Sequence, residues 1–311
     1  MKGQVINTIN NILKVNTENN EIFLCRIKGK QMTQLQGEYN PLAVGDFVEF
    51  DKTNENEGMI LSRLDRKNCF QRFNTKKNCN QTVVANMDLI GCVCSSANPP
   101  FRPRFVDRVL VCSKNIEVII ILNKCDLKHS DFEEERIKLY ETLGYKLFRI
   151  SCETGAGIKE LENYFIGKHV ALVGQSGVGK STLINDLTGE TGQRVGEISE
   201  KYNRGKHTTN FSQMLFLSNY IIVDTPGVRE FIPPHDDPHE IAKGFVEFSL
   251  PSKKCAYEGC LHDGEKDCEV KRLVQTGEID KDRYESYLGL IHSIQNKTPT
   301  WTRNYNAKKN Y

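Results

Sequence analysis

Val170-Ala171-Leu172-Val173-Gly174-Gln175-Ser176-Gly177-Val178-Gly179-Lys180-Ser181-Thr182 is the stretch on which the fold turns. An apolar strand runs into a GxxxxGKS loop, and Ser181 to Leu187 continues as a helix. In that context the glycines let successive backbone N–H groups turn inward around an anion, and the helix N-terminus adds partial positive charge. Lys180 is expected to reach the β- and γ-phosphates of a nucleotide, and Ser181 to place its hydroxyl on Mg²⁺.

Working outward, each further motif sits at a strand end. Asp224-Thr225-Pro226-Gly227 follows the apolar run Ile221 to Val223 and fits a DxxG element, with Asp224 holding magnesium through a water. Alone, such a DTPG would be a plain turn more often than not. Asn123-Lys124-Cys125-Asp126 follows Val118 to Leu122. Its Asp126 carboxylate can accept from guanine N1–H and N2–H₂, with the Lys124 stem along the base. Adenine would turn an acceptor toward that carboxylate, which disfavours an ATP-dependent kinase or transport ATPase. Charge-assisted hydrogen bonds contribute about 1.5 to 3 kcal/mol each, enough for two of them to prefer guanine by hundreds. Ser151-Cys152-Glu153-Thr154-Gly155, after Lys146 to Ile150, is placed to back the base.

The base-reading tetrad precedes the phosphate loop, the reverse of the usual order in a GTPase. Cutting a G domain between its DxxG helix and the next strand, and joining the old ends, produces this succession. Leu89 to Cys94 becomes the first strand and the DxxG loop leads straight into a third region. Alternating strand and helix signals between these motifs, with helices at Phe105 to Cys112, Glu133 to Leu143 and Ile158 to Phe165, predict an α/β parallel sheet. Phe211 to Leu217 and Tyr220 to Val223 read as an antiparallel hairpin. Val228 stands where a Ras-like enzyme has its water-orienting glutamine, so slow intrinsic turnover is expected. The segment 195–210 reads as a switch containing Gly205-Lys206-His207-Thr208-Thr209, one of whose threonines, Thr208 or Thr209, would cap Mg²⁺. His207 either helps position water or is a solvated or partner-contacting residue.

Before the sheet, Val5-Ile6, Ile22 to Ile27, Val44 to Phe50 and Met59 to Leu61 alternate apolar and polar between glycine-marked turns, predicting a small β-barrel of the OB type. Arg63 to Lys77 holds six basic residues against Asp65 alone, with Phe70 and Phe73 between them. It reads either as an RNA-contacting patch or as a solvated linker. After Phe231, Pro233 to Pro238 breaks the pattern and opens a mainly helical region, with helices around Glu240 to Phe248, Glu269 to Gln275 and Asp282 to Ile294. Cys255, Cys260, His262 and Cys268 give C-x₄-C-x-H-x₅-C, a closed donor set that suits one structural zinc, against an incidental cluster of free thiols. The polar tail 297–311 reads as either disorder or an RNA contact.

A chain of 311 residues leaves room for two or three domains, and a net charge of +2 confines any nucleic-acid surface to local clusters. No apolar run is long enough to span a bilayer, and eleven cysteines without a secretory signal suit a reduced, cytoplasmic setting.

The combined succession of NKCD, SCETG, GQSGVGKST, GKHTT, DTPG and the Cys-Cys-His-Cys spacing, after a β domain, resembles the RsgA (YjeQ/YloQ) family of circularly permuted GTPases along essentially the whole chain. The resemblance implies an OB-fold over 1–72, a permuted GTPase domain over 73–230 and a zinc-binding domain over 231–311. It also implies GTP and GDP binding with magnesium, zinc on Cys255, Cys260, His262 and Cys268, and nucleotide contacts from Asn123 to Asp126 and from Gly174 to Thr182. Binding to the small (30S) ribosomal subunit and its rRNA, stimulation of hydrolysis by that subunit and a part in its late maturation follow from the same likeness, for a chain expected to act as a monomer. Two positions depart from the family pattern: Lys206 stands for the usual arginine before the switch histidine, and Cys152 for a small residue.

Overall fold

Strands β1 (Lys2–Ile9), β2 (Ile12–Thr17), β3 (Ile22–Ile27), β4 (Phe47–Asn54) and β5 (Glu57–Arg63) pair in the order β1-β2-β3-β5-β4 and close through β1–β4. This closed five-strand barrel is the expected OB type. Alternation drives it: in β2 the residues Leu13, Val15 and Thr17 are buried while Ile12, Lys14 and Asn16 are only half-covered. Val5, Leu13, Val15, Phe23, Val48, Phe50 and Ile60 fill the interior. The sequence reading did not single out β2, although Leu13-Lys14-Val15-Asn16 alternates, and it set β4 a few residues early. The computed structural model describes residues 1–9, 12–27, 41–74, 77–189, 212–227, 232–234 and 237–295.

The basic stretch read as a patch or linker folds differently. Cys69–Asn74 is strand β6, paired antiparallel with β7 (Cys79–Ala85). This strand crosses the division expected at 72/73. Phe70 and Phe73 are buried, so neither can stack on a base. Arg66 turns inward to a two-pronged bond with buried Asp46, at 2.7 and 2.8 Å. Charge counting missed this because a guanidinium can be spent on a carboxylate twenty residues away.

The α/β layer follows: β8 (Leu89–Ser95), α1 (Pro103–Ser113), β9 (Glu117–Asn123), α2 (Asp131–Thr142), β10 (Lys146–Arg149), α3 (Ile158–Phe165), β11 (His169–Gly174), α4 (Lys180–Thr188), β12 (Gln213–Phe216) and β13 (Ile221–Asp224). The sheet order is β10-β9-β8-β11-β13-β12, parallel except for β12. Both faces are covered, as parallel sheets require. In β9, Ile120 and Leu122 face one core with α1 and α2, whereas Ile119 and Ile121 face the other with α3 and α4. A pairing of β1 with β12 at Asn7 and Gln213 joins barrel and sheet edge to edge.

The last region holds α5 (Pro238–Ala242), 3₁₀ turns at Val246–Phe248 and Pro251–Lys254, α6 (Glu269–Thr276) and α7 (Lys281–Gln295). One helix had been expected over Glu240 to Phe248; instead α5 ends before Gly244, where an added Cβ would come within 2.6 Å of Val111. That close approach seats the region on α1, and Val111 enters its core beside Phe245, Phe248 and Tyr287. Beneath lies a buried ion cluster. Arg283 donates to Asp107 of α1 at 2.6 Å and to Glu247 at 2.5 and 3.0 Å, and the Tyr140 hydroxyl donates to Asp107 at 2.6 Å.

Candidate functional site

Because β9, β8, β11 and β13 run parallel, the loops after their C-terminal ends share one edge of the sheet, where ligands of open α/β sheets bind. Asn123 ends β9, Ser95 ends β8, Gly174 ends β11 and Asp224 ends β13. Segments as far apart in the chain as Ser95 and Asp224 therefore converge.

Asn123, fully buried, ties three loops together. Its side-chain amide donates to the Val178 carbonyl at 3.1 Å, while its side-chain oxygen accepts the Lys124 N–H at 2.8 Å and the Cys152 N–H at 3.2 Å. Gly179 has φ +91°, and a Cβ there would stand 2.2 Å from the Asn123 amide nitrogen, so only glycine fits that crossing. The Lys124 ammonium lies across the phosphate loop, donating to the carbonyls of Gly177, at 2.8 Å, and Asn98. The Asp126 carboxylate accepts from the Ser151 hydroxyl at 2.5 Å, which fixes its orientation. Cys152 contributes its backbone. Burial, with a hydrogen bond to Asp186, pushes its thiol up to about 12.

On the phosphate side, Gly177 and Gly179 both hold positive φ, and Ser181 and Thr182 are exposed in the first turn of α4. Gln175 is half-covered and Ser176 exposed. The Lys180 ammonium, buried, ion-pairs with Asp224 and donates to the Thr225 carbonyl at 2.6 Å. The Thr225 hydroxyl donates to the Leu172 carbonyl at 2.7 Å, anchoring the loop on β11. A methyl group on Gly227 would lie 4.0 Å from the Gly174 oxygen and the Ser176 nitrogen, so the DxxG glycine faces the phosphate loop. Lysine, carboxylate, small-residue cradle and exposed Ser181 are the donor set that a nucleotide phosphate with magnesium requires. His207, Thr208, Thr209 and Val228 lie outside the described residues, as does the tail.

Sequence reading missed the loop after β8. The Ser96 N–H donates to the Asn123 carbonyl at 2.9 Å and its hydroxyl to the Lys124 carbonyl at 2.6 Å, while Asn98 receives the Lys124 ammonium. Its signal was present, since Ser95-Ser96-Ala97-Asn98-Pro99 follows the strand beside the phosphate-loop strand.

The second site is metal-like. The ligand atoms of Cys255, Cys260, His262 and Cys268 all lie within 4.8 Å of one another and can hold one metal ion. His262 Nδ1 is 3.6 Å from Cys255 Sγ and 3.3 Å from Cys268 Sγ, and the two sulfurs are 3.9 Å apart. A tetrahedral zinc holding N and S at its usual bond lengths sets such donors about 3.4 to 3.8 Å apart, so the set fits. Ser252 donates to the Phe248 carbonyl at 2.6 Å and lies 3.0 Å from His262 Nε2. With its proton so committed, Ser252 accepts from Nε2–H and leaves the Nδ1 lone pair facing the sulfurs. Burial lowers the His262 pKa and raises Cys260 to about 12, so it is the charge of an ion that would draw the thiols into their anionic form. The tyrosines of α7 grip the same loop, Tyr284 donating to the His262 carbonyl at 2.6 Å and Tyr287 to that of Leu261 at 2.7 Å.

Comparison with known proteins agrees with this geometry. The family model for the RsgA GTPase matches residues 63–232, and that for the RsgA N-terminal domain matches residues 2–60. A relative from Borreliella burgdorferi, named small ribosomal subunit biogenesis GTPase RsgA, is 39% identical over 299 residues, covering 95% of this chain and 97% of its own. The crystal structure of YjeQ from Thermotoga maritima aligns with a TM-score of 0.70 at 30% identity, covering 94% of this chain and 98% of that one. YloQ, described as a circularly permuted GTPase, shares the fold with a TM-score of 0.66 at 23% identity over 96% of each chain. With the permuted strand order, the guanine-type and phosphate-type loops on one sheet edge and relatives matching along nearly its full length, the chain belongs to the RsgA GTPase family.

Proposed function

We propose that the chain binds GTP and GDP with magnesium, hydrolyses GTP to GDP and phosphate, and does so under stimulation by the small ribosomal subunit during late maturation of that particle. The observation that carries the reading is the Asn123 bond to the Val178 carbonyl, which clamps the base-type loop onto the phosphate loop across 55 residues of sequence. The relatives' printed name supplies the particle.

In this reading Asp126 reads the guanine edge, with Ser151 orienting it, and the Lys124 stem walls the base while its ammonium stays on Gly177 and Asn98. Gly174, Gln175, Ser176, Gly177, Val178 and Gly179 present backbone N–H groups to the phosphates. Lys180, now paired with Asp224, would serve the phosphates, and Asp224 and Ser181, with Thr182 beside it in the first turn of α4, would be the residues to hold a magnesium ion that neutralises the phosphate charge. Thr208 or Thr209 would add to that set and His207 would help position water. One zinc on the Cys/His site supports folding of the region 231–311. The working divisions 1–72, 73–230 and 231–311, the cytoplasmic setting, the contact with rRNA and the monomeric state belong to the same proposal.

The test is GTP turnover by the full chain, alone and with purified small subunits. Turnover that rises at least tenfold with subunits supports the proposal. Equal rates, with nucleotide affinity intact, would favour a nucleotide-sensing assembly scaffold.

A further inference from the structure

A cavity of about 530 Å³ opens between α1, α2 and α7 and shares Gln175 of the phosphate loop as part of its wall. Four guanidinium residues line it: Arg102 just before α1, Arg104 and Arg108 within it and Arg136 of α2, with Asp282 of α7 the only acid among the lining residues. The first turn of α1 carries no acidic residue, so the countercharge comes from another element. Arg104 lies 3.4 Å from both Asp282 and Glu285, and Arg136 pairs with Asp282. The Arg102 side chain is exposed and has no hydrogen-bond or ion-pair partner among the described residues.

We propose that this cavity binds the phosphodiester backbone of an RNA strand, a deepening of the preceding functional reading, on which the identity of the RNA-rich partner rests. Four guanidiniums held within one cavity repel one another, and Arg102, exposed at its edge without a side-chain partner among the described residues, presents its charge to whatever enters. Their planar forks suit phosphate oxygens better than point-charge ammonium groups do. A volume of this size exceeds a single phosphate and admits a phosphate with its neighbouring ribose. The patch that charge counting favours is a poorer candidate, because Arg66 is committed to Asp46 and the two phenylalanines face the core. A strand seated here would compete with Asp282 for Arg104 and Arg136, at the seam where α7 meets α1. It would also lie against the loop that cradles the nucleotide.

The experiment uses the full chain, comparing wild type with Arg102→Gln/Arg108→Gln, and measures affinity for purified small subunits and for a single-stranded RNA 20-mer across 50 to 200 mM salt, with polyglutamate as the acidic-protein control. Nucleotide affinity within about twofold of wild type certifies the fold, and the single exposed change Arg102→Gln replaces the pair if that criterion fails. Expected is a loss of about tenfold or more at 100 mM salt and a log–log salt slope shallower by about two for the pair or about one for the single change, on both RNA probes. The pair Arg102→Lys/Arg108→Lys should restore the slope. An unchanged affinity and slope on both probes overturns the proposal, and so does a dependence on these arginines that polyglutamate shares equally with RNA. Subunit binding that is normal and arginine-independent removes this site alone. Failure of wild type to bind subunits, with the 20-mer still arginine-dependent, removes the ribosomal reading and leaves the RNA site standing.

Discussion

Asn123 shows how much one side chain can organise. It supplies a donor to one loop and an acceptor to two others from a position sealed against water, so no solvent molecule can stand in for a lost partner. Replacing it with alanine strands the Val178 carbonyl and two N–H groups. Unmade buried bonds cost about 1 to 3 kcal/mol each, so Asn123→Ala is expected to weaken GDP binding by at least tenfold. Asn123→Asp should be worse, although it is nearly isosteric, because it turns a carboxylate oxygen toward the Val178 carbonyl in the tight crossing at Gly179. Fluorescent-GDP titration of both variants checks the order. Equal losses would mean that the side chain only fills space.

Between elements, the decisive junction is α1 against α7. Asp107 and Arg283 are almost wholly buried, and Glu247 nearly so. Burial raises the Asp107 pKa even though Arg283 opposes it, and Glu247 and Asp107 hold Arg283 protonated against its own desolvation. Such a cluster is sensitive to loss of one member rather than strongly stabilising in itself. Arg283→Met leaves two carboxylates buried without their cation and is expected to cost about 3 to 5 kcal/mol, read as a lower urea midpoint of the full chain. A midpoint unchanged within about 0.3 M would contradict the buried network. The neighbouring Cys/His site, which can hold one metal ion, is expected to depend on it for a different reason: its loop has little apolar content and is held by α7 through Tyr284 and Tyr287. Metal analysis should find one zinc per chain, and chelation should expose the segment beyond residue 237 to protease while the sheet stays resistant. A chain that carries no stoichiometric zinc, or resists protease after chelation, would refute the assignment.

At the scale of the molecule, barrel and sheet form one eleven-stranded surface through the contact of β1 with β12. Strand β12 follows the segment read as a switch and pairs on its other side with β13, which ends in Asp224. Movement on the γ-phosphate side therefore has a hydrogen-bonded path into the barrel. Hydrogen exchange with GDP against a non-hydrolysable GTP analogue should show changed protection in β1 around Asn7, with β3 unaffected. Identical exchange in β1 would mean that the junction insulates the barrel. The third region is reached from the opposite direction, through α1 and the seam beside the arginine cavity, so the two flanking units meet the central sheet at separate places.

The sequence by itself determined the class of every layer, the motifs that the fold brings to one sheet edge and the four residues of the Cys/His cluster. GxxxxGKS, NKCD and DTPG carry their own local geometry, and each follows an apolar run long enough to be a strand, so their shared sheet edge was implied before any coordinates. The Cys/His spacing was legible for the same reason, since four soft donors within fourteen residues have few other uses. Tertiary structure alone decided the fate of charges. Arg66, counted in a basic patch, is the buried partner of Asp46, and Arg283 is the buried partner of Asp107 and Glu247, whereas Arg102, scarcely distinguishable from them in the chain, stands exposed at a cavity. The physical reason is range: backbone preference and hydrophobic period act over a few residues and are written locally, but the partner of an ion is chosen by distance in space, which only the folded chain defines.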